Sequence, residues 1–225
     1  MYQPAHGKFE VADPSALLAE LSVEYPATLV SVGRDGLRTS ILPMLHYPKE
    51  GEDGLLRGHL ARGSPHWREL AVDGRAIAIF NGPDAYISPA WYEEKRLTGK
   101  VVPTWNYTTV VVHGVIELRQ EPEWLVAHVR RLVDRHEQGR PEPWSVDDAP
   151  DGYVEIQAKA IVGLEMRIER IDAKRKLSQN RSAADIAGVL EALVDGTPRE
   201  QLVAAEMDPE LPRAGPRGEL DEPRA

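Results

Sequence analysis

The ten residues from Gly58 to Trp67 carry the densest set of reactive side chains in the chain: His59, Arg62, Ser64, His66 and Trp67. The pattern predicts the end of a strand, over Leu55 to Leu60, and the start of a helix at Ser64-Pro65. A hydroxyl that caps free N–H groups, followed by proline, is a helix-opening pair. A helix start offers N–H donors and a partial positive charge, and Arg62 adds a full one. Together they form an anion site, most naturally for a phosphate. A capped helix with a surface arginine and an inward tryptophan accounts for the same residues, and on this segment alone both readings stand.

Four further segments concentrate polar and aromatic groups. Thr39 and Ser40 place hydroxyls ahead of an apolar run. Phe80 to Tyr92 mixes aromatics with turn formers. Val102 to Tyr107 contains Trp105, Asn106 and Tyr107. Lys176 to Arg181 gathers Lys176, Ser178, Gln179, Asn180 and Arg181 around one leucine. Singly, each has a structural explanation, with tryptophans as core, prolines as turns and Asn180 or Ser182 as a helix cap. Jointly they suit a ligand with a flat ring and an anionic tail.

The elements that must position these residues follow from periodicity and turn chemistry. Asp13-Pro14 opens a helix carrying Leu17, Leu18 and Leu21. Ala27 to Val32 and Leu37 to Leu45 form a hairpin about Arg34-Asp35-Gly36. Strands follow at Leu55, at Ala76 to Phe80 and over Val101 to Leu118, with Gly114 as a bend or bulge. A helix over Ser64 to Val72 lies among them. Pro122 to Gln138 is an amphipathic helix with Leu125, Val129, Leu132 and His136 on one stripe. A proline-rich loop spans Arg140 to Pro150. A strand from Ala160 to Ile171, a helix over Ser182 to Leu193 and a last helix opened by Thr197-Pro198 complete the order. Strands fill the first two thirds without regular helical alternation. That predicts a mainly β fold, a β-barrel with peripheral helices, rather than a doubly wound sheet.

Composition narrows the function. The 225 residues include no cysteine, which removes disulfides, thiol nucleophiles and thiolate metal sites. His59 and His66 do not have a familiar metal spacing, and no metal is expected. The dinucleotide, P-loop, zinc-protease and nucleophile-elbow motifs are absent. A net charge of -9 argues against a broad nucleic-acid surface. Arg167 to Arg181 holds six cations against Glu169 and Asp172, a local +4, and reads as a solvated strand and loop. No membrane-length apolar run and no signal-peptide pattern are visible, so the expected compartment is the cytoplasm.

Several motifs, in order, resemble the PaiB-type family of FMN-binding negative transcriptional regulators. They are the start from Met1 to His6, Gly58 to Arg62 with Pro65-His66-Trp67, Gly82 to Pro89 with Trp91-Tyr92, and Val102 to Tyr107. Ala160 to Gly163 and Lys176 to Arg181 complete the series. The resemblance covers about residues 1 to 195 and departs at Gly63-Ser64, where Ala-Asn is the family's pattern. It implies an FMN-binding split β-barrel, a homodimer with flavin at or near the subunit interface, and a regulatory role. The implied domain runs over 1–182, with C-terminal helices over 183–207; outside the resemblance, the Pro-, Arg-, Glu- and Asp-rich composition from Asp208 predicts a disordered acidic tail over 208–225. Phosphate is expected on Arg62, the helix start at Ser64 and Thr39 or Ser40, within a cluster that includes His59, His66 and Trp67. The ring is expected beside Trp105, Asn106 and Tyr107. Lys176, Ser178, Gln179 and Arg181 would approach the flavin from the partner subunit or a late loop. A flavin-dependent reductase or oxidase on the same barrel is the alternative, and a barrel without flavin acting as an interaction module is a third.

Overall fold

The computed structural model describes residues 1–5 and 7–211; His6 and the greater part of the expected acidic tail, 212–225, lie outside the described residues. The chain opens with helix α1 (Pro14–Glu24) and strands β1 (Ala27–Gly33), β2 (Gly36–Leu42), β3 (Met44–Tyr47) and β4 (Leu55–Ala61). Helix α2 (His66–Asp73) and strand β5 (Arg75–Ile87) follow, then the short α3 (Glu93–Leu97) and β6 (Thr104–Arg119). Helices α4 (Pro122–Glu137) and α5 (Tyr153–Ala158), strand β7 (Ile161–Lys176), and helices α6 (Ala183–Val194) and α7 (Pro198–Met207) complete it.

The strands form one seven-stranded sheet in the order β2-β1-β5-β6-β7-β4-β3. Its two edge strands, β2 and β3, are consecutive in the chain and separated by one residue, Pro43. A sheet whose edges are joined by one residue must curl onto itself, which agrees with the β-barrel the strand pattern predicts and the split barrel the resemblance implies. Pro43 also corrects the expectation of a single strand over Leu37 to Leu45. Proline donates no ladder hydrogen bond, so the pairing partner changes there, from β1 for β2 to β4 for β3.

Two other strands are longer than expected. β5 continues through Asn81, Gly82 and Pro83 to Ile87, where turn chemistry argued for a loop. β7 runs on to Lys176 rather than stopping at Ile171. Gly114 serves close approach: a Cβ there would stand 2.2 Å from the Arg167 carbonyl oxygen. α2 starts at His66, and Ser64 Oγ accepts from the His66 amide at 3.3 Å rather than standing at the cap position itself.

The described residues fall into two compact units, neither continuous in sequence: 15–80 with 111–171, and 1–14 with 81–110 and 172–211. In the first, Leu17, Leu18 and Leu21 of α1, Leu29, Met44, Leu56, Phe80, Leu125, Leu164 and Met166 are buried. α4 buries Leu125 and His128 rather than the full stripe through Val129 and His136. In the second, Ala85, Ile87, Tyr92 and Leu177 pack with Val189 and Leu193 of α6 and Val203 and Ala204 of α7. Both helices are opened as their sequences predict. Ser182 accepts from the Asp185 amide, and Thr197 forms a capping box with Glu200. Leu211, four residues past the end of α7, packs on the same core.

Candidate functional site

The turn from β4 to α2 is held from below by Arg62. Its guanidinium donates from Nε to the Lys159 carbonyl at 2.8 Å, from Nη1 to Gln120 Oε1 at 2.9 Å and from Nη2 to the Ile161 carbonyl at 2.9 Å. Its amide donates to the Ala160 carbonyl, and its own carbonyl accepts from Trp67 Nε1 at 2.9 Å. Arg62 therefore latches the turn to the start of β7 with two of its five N–H groups and to Gln120 with a third, leaving two. The Arg68 guanidinium lies over the Trp67 ring.

His66, the first residue of α2, is buried between two hydroxyls. Ser31 Oγ lies 2.9 Å from its Nε2 and Ser40 Oγ 2.7 Å from its Nδ1. A neutral imidazole has one donor and one acceptor nitrogen, and two hydroxyls satisfy both. Burial holds its pKa below the ordinary value, ahead of an opposing effect of Glu69. Ser40 and His66 are thus brought together as a buried clamp between β2, β1 and α2. Thr39, one residue away, points to the opposite face of the sheet and is exposed.

His59 belongs to a third group. Its Nδ1 lies 3.1 Å from His128 Nε2, and the Trp124 ring stacks on His128 with centroids 5.2 Å apart. Gly163 makes room for that stack, since a Cβ there would stand 2.2 Å from Trp124 Cζ3. The two motif glycine-containing segments, around Gly58 and Gly163, thus meet a tryptophan and a histidine that the sequence reading did not single out. His128 Nδ1 is buried with no hydrogen-bond partner among the described residues. Its pKa is pushed down to about 3 by burial first, then by His59 and Arg57.

The remaining predicted residues lie in the second unit. Trp105 is half-exposed and meets Tyr86 edge to face, with ring centroids 6.1 Å apart. Lys176 donates to Thr104 Oγ1 at 2.6 Å and to the Trp105 carbonyl. Burial, then Lys174 and Arg181, lower its pKa. Lys174 is boxed by the rings of Tyr2, Phe9 and Tyr107.

Asn106 points the other way along β6. It is fully buried and donates to Ser178 Oγ at 3.0 Å. Ser178 adopts a left-handed φ of 67°, and Gln179 bridges the turn by accepting from the Leu177 amide and donating to the Arg175 carbonyl. Arg181 stacks over Tyr92 at 4.5 Å. The stretch from Lys176 to Arg181 is therefore a tight turn pinned to Asn106. Tyr86 joins Trp105, Tyr107 and Lys176 on the accessible side. The signal for Trp105 and Tyr107 was the period of two along β6, which sets them opposite Asn106.

The chemistry of these donor sets fits FMN. A half-exposed indole beside a tyrosine gives an aromatic face for a flat ring, and an ammonium lies next to it. In the other unit, a helix start and an arginine with two N–H groups to spare can receive a phosphate.

Residues 1–170 match the family model described as "Putative FMN-binding domain". The chain is 34% identical over 149 residues to the protease synthase and sporulation protein PAI 2 of Bacillus subtilis, covering 66% of this chain and 69% of that protein. It is 35% identical over 170 residues to an uncharacterized protein of Aspergillus fumigatus; the match covers 61% of this chain and spans 65% of that relative's length. Among solved structures, a conserved hypothetical protein of Mycobacterium tuberculosis superposes with a TM-score of 0.54 at 18% identity, covering 81% of this chain and 94% of that one. The FAD and heme binding protein of Mycobacterium smegmatis gives 0.53 at 16% identity, over 79% and 78%. Those likenesses fix the fold, while the family model and the Bacillus relative fix the lineage: the chain belongs to the PaiB-type family of FMN-binding proteins, and FMN is its cofactor.

Proposed function

We propose that this protein is an FMN-binding homodimer of the cytoplasm that acts as a negative regulator of transcription. The regulatory reading is carried by the likeness to PAI 2 of Bacillus subtilis, whose name ties that protein to protease synthesis and sporulation. The net charge of -9 favours action through a flavin-linked signal or a protein partner over direct contact with DNA. Bound FMN supplies a redox-active ring that can hold one or two electrons.

The dimer is supported by the outer face of β1, β2 and β5. Thr28 lies opposite Ile41 and Ile79, Val30 opposite Thr39 and Ile77, and Val32 opposite Leu37. Val32, Leu37 and Ile41 are each more than two-thirds exposed. A row of large aliphatics on a sheet face wants a covering surface, and a second copy is the partner a closed two-fold assembly supplies.

Arg62 and Ser64 of the first unit are the candidates for the phosphate, and Trp105, Tyr107 and Lys176 of the second are the candidates for the ring. Ser40, His59, His66 and Trp67 hold the first set in place, and Asn106, Ser178, Gln179 and Arg181 hold the second. Thr39 belongs to the dimer face. The visible spectrum of freshly purified protein tests the cofactor, and sedimentation at about twice the 25.0 kDa chain mass tests the dimer. Transcript levels in a deletion strain test regulation. Steady oxidation of NADH or NADPH by the FMN-loaded protein, with transcripts unchanged by the deletion, would replace the regulatory reading by that of a reductase or oxidase.

A further inference from the structure

A cavity of about 490 Å³ lies in the first unit among α1, β3 and α4, lined by Ala19 and Val23, Leu45, His46 and Tyr47, and Arg131 and Arg135 among others. None of these residues belongs to the proposed flavin clusters. We propose that this cavity is a second ligand site, which takes a small aryl monocarboxylate independently of FMN.

Three observations point there. The first is shape and composition: the volume is that of sites for compact organic molecules, and Ala19, Val23 and Leu45 give an apolar wall for a ring. The second is charge. Arg131 and Arg135 stand one turn apart on α4, and Asp134 is the carboxylate of the lining, so with neutral histidine the wall carries +1, matched to a monoanion. Arg135 donates to Gln138 Oε1 at 3.0 Å. Arg131 makes no hydrogen bond or ion pair among the described residues and faces the Tyr47 ring at 6.0 Å. The third is unmet hydrogen bonding in the wall itself. Both ring nitrogens of His46 are buried with no partner among the described residues, and the neighbouring Tyr47 hydroxyl is buried with Arg57 as its polar neighbour. Buried polar groups are nearly always paired, and groups left unpaired beside a cavity mark where a ligand or ordered water completes the set.

The expected roles follow. The ring lies on the aliphatic wall, and the carboxylate pairs with the guanidinium of Arg131 and that of Arg135. The Tyr47 hydroxyl stays a donor, because burial raises its pKa. His46 stays neutral, because burial lowers its pKa.

The test uses the full-length FMN-loaded protein and phenylacetate, with phenylacetamide and phenethylamine as neutral and cationic probes, read by calorimetry. Saturable binding of phenylacetate at one site per chain is expected, at least tenfold tighter than either probe. Arg131→Gln should weaken it at least tenfold while FMN content and melting temperature hold. Ala19→Phe, which fills the cavity without changing charge, should abolish it and covers the case in which Arg131→Gln fails to fold. Absence of phenylacetate binding, equal binding of phenylacetamide, preference for phenethylamine through Asp134, or undiminished binding by the Ala19→Phe variant would each overturn the proposal. Because FMN content is read separately, loss of the flavin reading leaves this test intact.

Discussion

The buried pair His59 and His128 makes the stability of the fold depend on pH in a window that can be calculated. His128 titrates near pH 3 in the folded chain and at an ordinary 6.5 once unfolded. The folded value is the lower one, so the unfolded chain takes up the proton first as pH falls. The stability this residue contributes is complete above pH 6.5 and is lost progressively toward pH 3. At pH 5, about 1.5 units below the unfolded value, the loss from His128 alone is about 2 kcal/mol. For a chain of this size that corresponds to roughly 4–8 °C in Tm. His46, His59 and His66 are lowered in the same direction by burial and add to the slope. Glu69 and Glu165 are also lowered, from a carboxylate value of 4.5, so their losses come mainly below pH 4.5, under the range where the His128 slope is read. Urea unfolding between pH 7.5 and 4.5, compared for the wild type and His128→Phe, isolates the effect. Phenylalanine keeps a flat ring against Trp124 and cannot take a proton. The variant's absolute stability differs for reasons of packing, but its slope near pH 5 should be shallower by about one proton, or ~1.4 kcal/mol per pH unit. Parallel slopes for the two proteins would show that His128 protonates as readily folded as unfolded, and the buried-pair reasoning would fail.

Gly163→Ala drives a methyl into Trp124 and should cost about 1–3 kcal/mol, with part of it recovered in Gly163→Ala/Trp124→Leu if the clash is the cause; additive losses in urea melts would refute it. Ile41→Glu places a charge on the exposed aliphatic row and should shift sedimentation from dimer to monomer with the fold intact; an unchanged dimer would move the interface elsewhere. Arg62→Ala should weaken FMN more than riboflavin, about tenfold or more, because only FMN carries the phosphate; equal losses would reduce Arg62 to its latch on β7. Lys176→Ala should lower FMN affinity and shift the flavin potential downward, whereas Arg181→Ala, stacked on Tyr92, should lower Tm and leave the potential alone; the reverse pattern would exchange their roles.

Local chemistry made most of the elements legible. The cap at Ser182, the capping box at Thr197 and the turn between β1 and β2 lie within a few residues of what they control, and each stands where the sequence placed it. The failures share a different cause. β5 carries Gly82-Pro83, a pair that locally favours a turn, and it stays extended with buried positions on both sides of the pair, the alternation changing phase at Pro83-Asp84. β7 continues past Ile171 because Arg175 donates its amide to the Phe9 carbonyl, a partner far off in sequence. His128 was hidden for the same reason: its partner His59 is 69 residues away, and the amphipathic stripe of α4 gives a polar residue no reason to turn inward. Pairings across such distances are decided by packing, which no window of sequence contains.

The same distinction separates the motifs from the ligand. His66 is spent on two serines, Asn106 on Ser178, Gln179 on the turn after β7, and three of Arg62's donors on the strand start and on Gln120. These side chains cannot reach a cofactor without giving up bonds already made, and a buried donor released in that way costs more than a new bond returns. On the proposed function, their clustering at conspicuous motif positions meets a demand for fixed geometry, and contact falls to Trp105, Tyr107 and the N–H groups of Arg62 and Lys176 not already in use. Substituting His66, Asn106 or Gln179 should move flavin affinity and stability together, substituting Trp105 or Tyr107 should move affinity alone, and Arg62 and Lys176, which are bonded inward as well, should move both; that contrast separates support from contact.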